Sequence, residues 1–113
     1  MSRSTFSGPV RSTNGFEFGT SGTQITYMKK GTVSVNPSSL TTGTGELLSV
    51  TLTGAVVGDA ISIHPPAAGL TTGLLIAQAY VSAADTVIIQ IWNPTAGTIN
   101  EGAADWIYTL TRS

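Results

Sequence analysis

The chain has 113 residues, 41% of them hydrophobic and 10% charged, with a net charge of −1 and no cysteine. That length supports one domain with one core. The balance excludes a basic footprint for nucleic acid or anionic lipid, a disulfide framework, thiolate chemistry, and the high-charge, low-hydropathy composition of disordered chains.

Residues 1–23 show no usable periodicity. Gly8-Pro9, Asn14-Gly15, Gly19 and Gly22 interrupt any regular element. The first nine residues, Met1 to Pro9, hold no apolar h-region, so no signal peptide is expected. No apolar run approaches 18 residues, so no membrane-spanning helix is expected either. These features predict synthesis in a cytoplasm and release by another route, such as lysis. A frayed terminus is one reading of this stretch. An extended arm that docks on a partner is the other, with Phe6, Val10, Phe16 and Phe18 as its anchors. Three phenylalanines in so short a stretch favour the arm. The expected organisation is therefore an arm over 1–23 and a β domain over 24–113.

Gln24 to Val35 predicts one or two strands. Ile25, Tyr27, Val33 and Val35 alternate with polar residues, and Lys29-Lys30-Gly31 interrupts them as a turn or an exposed edge. Asn36-Pro37 ends the element, and 40–45 reads as a Thr/Gly loop. Glu46 to Thr53 predicts a strand with Leu48, Val50 and Leu52 on its core face. Residues 54–59, Gly-Ala-Val-Val-Gly-Asp, form a turn. A short strand over Ala60 to Ile63 ends at His64-Pro65-Pro66, because two prolines cannot continue a central ladder. After a loop with Leu70 tucked inward come strands at 74–82 and 86–92, joined by Ala83-Ala84-Asp85. Asn93-Pro94-Thr95-Ala96-Gly97 breaks the pattern, and a last strand covers Trp106 to Thr111. No stretch predicts a helix of ten residues. Turn signals every 8–12 residues or so predict an all-β antiparallel sandwich of six to eight strands.

Typical soluble domains carry about 25% charged residues. Here Ser, Thr, Gln and Ala line the outward strand positions instead. Such a face is soluble yet easily desolvated, which suits a surface that lies against other protein. Catalytic chemistry has little to stand on. His64 is the single histidine, beside two prolines and without cysteine partners. A zinc site needs three or four clustered ligands, so a polar residue at the sheet rim is the better reading. The acids Glu17, Glu46, Asp59, Asp85, Glu101 and Asp105 form no DxD run, EF-hand loop or close pair. Asp59 and Asp85 each precede a strand, where a carboxylate accepts backbone N–H bonds. No GxSxG elbow, P-loop or GxGxxG is present. No enzyme activity, metal or cofactor is expected.

Tyr80, Trp92, Trp106 and Tyr108 fall on predicted strands, where aromatics serve a core, a subunit interface or a stacking platform for sugars. Trp92 shares parity with Ile88 and Gln90, opposite Val87, Ile89 and Ile91. If the latter three face the core, Trp92 is exposed in a monomer and suits an interface anchor.

Four segments, in order, resemble a small β-module of tailed-phage virion proteins. They are Thr53 to Asp59, Pro65 to Leu70, Ala79 to Val87 (Ala-Tyr-Val-Ser-Ala-Ala-Asp-Thr-Val) and Asn93 to Gly97. The resemblance covers about residues 46–111. The opening, Phe6 to Val10 with Asn14-Gly15-Phe16, is also similar to the starts of short phage proteins bearing this module. The module occurs in capsid decoration (cement) proteins and in head or tail fibre proteins. The resemblance implies a jelly-roll-like sandwich and scaffold roles for the corners, with no catalytic residue to transfer. It implies a structural virion protein on the capsid surface, bound to the major capsid protein and trimeric. Phe6, Val10, Phe16 and Phe18 would hold the shell, and Tyr80, Trp92, Trp106 and Tyr108 would lie at subunit interfaces. The alternative is a fibre module that holds a host glycan through Trp92, Trp106 or Tyr108.

Overall fold

A computed structural model describes residue 3 and residues 5–113. Six strands run in chain order: β1 Tyr27–Val35, β2 Thr44–Thr51, β3 Ala60–His64, β4 Leu75–Ala83, β5 Thr86–Asn93 and β6 Ala104–Arg112. No helix occurs among the described residues. The strands form two three-stranded sheets, ordered β1-β6-β3 and β2-β5-β4, and every pairing is antiparallel.

Period-two side-chain alternation explains which residues meet. Val87, Ile89 and Ile91 of β5 are fully buried, as are Trp106 and Leu110 of β6, with Tyr108 nearly so. These central strands of the two sheets share one buried cluster. Leu52 belongs to it, and Leu48, Val50 and Leu70 pack against it, as their positions in the sequence predict. Burying each such aliphatic side chain stabilises the fold by roughly 1.5–3 kcal/mol.

β1 is one continuous strand, and Lys29-Lys30-Gly31 takes the exposed-edge reading and not the turn. Lys29-Lys30-Gly31 does not interrupt it, and the three residues pair in register with Leu110, Thr109 and Tyr108. Two features allow this. β1 is an edge strand, so both lysines remain exposed. Gly31 lies over the Tyr108 ring, where an added Cβ would stand 3.2 Å from Tyr108 Oη. β2 begins two residues before Glu46 and β6 two residues before Trp106, because pairing with Asn93 and Val35 carries the backbone further than the side-chain pattern shows.

The radius of gyration is 17.7 Å and the extents are 58 × 28 × 24 Å. A compact chain of this length has a radius near 13 Å. The residues before β1 are mostly exposed. Positions 1, 2 and 4 of the expected arm lie outside the described residues. The rest of 1–23 is not uniformly extended. Phe16 and Ile25 exchange backbone bonds of 2.9 and 2.7 Å, which turns the chain back on itself. Gln24 Nε2 donates to Asn14 O, and Ser12 Oγ donates to Gly15 O at 2.7 Å. This pairing crosses the boundary expected at 23/24.

Candidate interaction surfaces

Four of the six acids accept backbone N–H bonds. Asp59 Oδ2 accepts the Val56 N–H at 2.9 Å and Asp85 Oδ1 accepts the Gly54 N–H at 2.8 Å. Glu46 Oε1 takes the Ser38 N–H and Glu101 Oε2 the Thr71 N–H, each at 2.9 Å. Asp85 has φ 60° at the β4–β5 turn, a conformation that aspartate tolerates better than most residues. Its backbone also bonds Leu52 and Ala55, which fastens this corner to the end of β2.

The 54–59 turn is locked from the chain's other end. Arg112 Nε donates to Asp59 Oδ1 and Nη2 to Oδ2, both at 2.7 Å, and Nη2 also reaches Gly54 O at 2.8 Å. The Asp59 side chain is 2% exposed. The Arg112 guanidinium holds the Asp59 carboxyl below the ordinary carboxylate range, against the opposing effect of burial. The same ion pair raises Arg112. Arg112 Cζ also lies 4.5 Å from the Tyr27 ring centroid. Nothing in the sequence pairs residue 59 with residue 112; only the β3–β6 ladder brings them together.

Asn93 organises a third corner. It is fully buried, and its Nδ2 donates to Leu40 O and Gly97 O, each at 2.9 Å. Its Oδ1 accepts from Thr95 N at 3.0 Å and Thr95 Oγ1 at 2.6 Å. This is the turn role expected for Asn93 and Gly97.

The four aromatics divide. Trp106 and Tyr108 lie in the core, at 0% and 3% exposure, and offer no surface to a second subunit or a glycan. This corrects the interface expected at those two positions. Both share β6 parity with the buried Leu110, which ties them to the core side of a central strand. Trp106 Nε1–H has no hydrogen-bond partner among the described residues. Trp92 and Tyr80 face outward at 40% and 44% exposure, and Val87, Ile89 and Ile91 face inward, as their parity requires.

Trp92 sits on the outer face of the β2-β5-β4 sheet. Gly45 and Leu75 flank it across the ladders. A Cβ at Gly45 would stand 2.8 Å from Trp92 Cε3, so the ring lies over bare backbone. Leu47, Ile88 and Tyr80 share the face, and Gln78 Nε2 donates to Gln90 Oε1 at 2.9 Å between them. This face carries no charged side chain.

A second apolar surface spans residues before β1 and the first residues of that strand. Phe6, Val10, Phe16 and Phe18 are all exposed, as is Met28. Val10, Phe16, Phe18, Ile25, Tyr27 and Met28 line an open groove of about 720 Å³. His64 ends β3 as an exposed rim residue. Among the described residues, no group of three His, Cys, Asp or Glu side chains could hold a metal ion. No protein-family model, curated protein or solved structure matches the chain.

Proposed function

We propose that the chain is a structural virion protein: a capsid decoration protein of a tailed phage that binds and stabilises the major capsid protein shell. In this reading the two sheets form a jelly-roll-like sandwich, and residues 1–23 act as its arm. The observation that carries the reading is the exposure of Phe6, Val10, Phe16 and Phe18, at 53–75%, on the segment before β1. Exposed aromatics on such a segment suit insertion between subunits of a shell. The charge-free face around Trp92 supports contact with further copies in a trimer. Multivalent attachment then strengthens a modest contact per arm. The turn segments that resemble phage virion proteins support the same class.

The test is cosedimentation with mature, undecorated capsids. The intact chain binds, and a Phe6→Ser/Phe18→Ser double variant with an unchanged circular dichroism spectrum loses most of that binding. Equal binding by the variant removes the arm from the reading, and no binding by the intact chain sinks the reading itself.

The fibre alternative has less support. With Trp106 and Tyr108 in the core, Trp92 is the one candidate platform left of its three. Tyr80 pairs with Ile88 and so stands about 13 Å along the sheet from Trp92. A glycan array separates the two readings.

A further inference from the structure

The two sheets present four edge strands, and three are protected against pairing with another chain. β1 carries Lys29 and Lys30. β3 has five residues and stops at Pro65-Pro66. The β4 register shifts between Ile76 and Gln78 and again between Val81 and Ala83, which bends that edge. Lysine, shortness and bulges are the usual ways in which a sheet edge is blunted.

β2 has none of these. Its eight residues, Thr-Gly-Glu-Leu-Leu-Ser-Val-Thr, hold no lysine, arginine or proline, and its register with β5 is unbroken. Its one charge, Glu46, points to the inner face, a placement that can also blunt an edge, but its carboxylate is taken up by the Ser38 N–H of the same chain at 2.9 Å. The Leu52 N–H donates to Asp85 O at 2.8 Å, which assigns the even-numbered residues of this stretch to the β5 ladder. Antiparallel alternation then directs the N–H and C=O groups of Gly45, Leu47, Ser49 and Thr51 to the open edge. All four residues are exposed. The open row is about 20 Å long.

We infer that the β2 edge pairs antiparallel with β2 of a second copy, joining two β2-β5-β4 sheets into one continuous sheet. An antiparallel pair of identical strands is its own two-fold complement. Centring the pair on Leu48 sets Glu46 opposite Val50 of the other copy; centring it on Leu47 sets Glu46 opposite Leu48. Neither register brings two carboxylates together. The outer face has no charge to repel its copy, and the two Trp92 faces become one surface. The inference stands apart from the capsid reading. If the chain forms trimers, this contact links one trimer to the next.

The test combines sedimentation with amide exchange. The purified wild-type protein sediments as an even-numbered assembly at high concentration. Proline at position 49 removes an edge-directed N–H without touching the β5 ladder, so Ser49→Pro halves the assembled mass. Leu47→Lys does the same by adding charge at the edge. Circular dichroism and buried Trp106 fluorescence verify that both variants stay folded. In the wild type, the Leu47 and Ser49 amides exchange slowly at high concentration and quickly on dilution, while Leu48 and Val50 stay protected throughout. Fast exchange of Leu47 and Ser49 at every concentration overturns the inference, as does an unchanged mass in both folded variants. Absence of capsid binding by the wild type, with the halving intact, would count against the capsid reading alone.

Discussion

Arg112 and Asp59 meet through two parallel hydrogen bonds of 2.7 Å, 53 residues apart in the chain, and so pin the last strand to the turn before β3. A fork of this kind is the strongest ordinary geometry between a guanidinium and a carboxylate. Lysine cannot reproduce it. Arg112→Lys is therefore expected to lower the thermal midpoint, and Asp59→Ala to lower it further, because the latter also leaves the Val56 N–H unbonded. Calorimetry of the two variants checks the order. A midpoint for Asp59→Ala equal to wild type would contradict it.

The same pair sets an acid limit. The folded-state pKa of Asp59 lies below the ordinary value. A depressed carboxylate contributes stability that is fully present above the unfolded pKa, near 3.9, and is lost as pH falls through the folded value. Denaturant midpoints are expected to hold between pH 7 and 5 and to fall progressively below about pH 4. Asp59→Asn flattens that acid limb. An identical limb in wild type and variant would show that other carboxylates carry the effect.

Asn93 is the polar residue whose loss is expected to cost most. It satisfies two carbonyls, an amide and a hydroxyl in a fully buried position. Asn93→Ala strands those groups, at about 3 kcal/mol. Asn93→Asp cannot donate to Leu40 O or Gly97 O, and it is expected to do at least as badly at neutral pH. Urea unfolding measures both; a loss under about 1 kcal/mol would remove Asn93 from this role.

The Asp85 corner separates backbone strain from hydrogen bonding. Asp85→Asn retains a residue that tolerates φ 60° and keeps an oxygen for the Gly54 N–H. It is expected to be near neutral. Asp85→Ala keeps the left-handed backbone but removes the short polar side chain that offsets its cost, roughly 1–2 kcal/mol, and also loses the bond. Asp85→Gly falls between them. Chemical denaturation ranks the three, and an alanine variant as stable as the asparagine one would refute the argument.

The two tryptophans give an optical test of which aromatics face out. In Trp106→Phe the remaining indole is Trp92, which acrylamide quenches readily. In Trp92→Phe the remaining indole is Trp106, blue-shifted and protected. Equal quenching in the two variants would contradict the assignment.

Much of the fold is legible from alternation. The β5 pattern alone separates Val87, Ile89 and Ile91 from Trp92, because a central strand needs one apolar face and the period is two. Asp59, Asp85 and Asn93 are legible as turn residues because they flank Gly, Ala or Pro at strand ends. Trp106 and Tyr108 are harder to place. Alternation gives their side of β6, but only the position of β6 between β1 and β3 makes that side a core. Lys29-Lys30-Gly31 leaves turn and exposed edge both open for a related reason: glycine after two lysines also has the composition of a turn, and the Tyr108 ring that makes glycine fit a strand lies 77 residues on. Arg112 carries no local signal, since its partner is fixed by the ladder. The fold-back of Phe16 onto Ile25 rests on one isolated bridge, too short to leave a period in the sequence.

Trp92 packed over Gly45 has a consequence for recognition. A ring resting on bare backbone, with Leu75 on its other flank, has few rotamers to choose from even before anything covers it. A side chain already confined gives up little rotational freedom when a second surface arrives. A side chain at Gly45 would meet the ring at 2.8 Å and push it off this seat, and a contact made there would have to bring it back first.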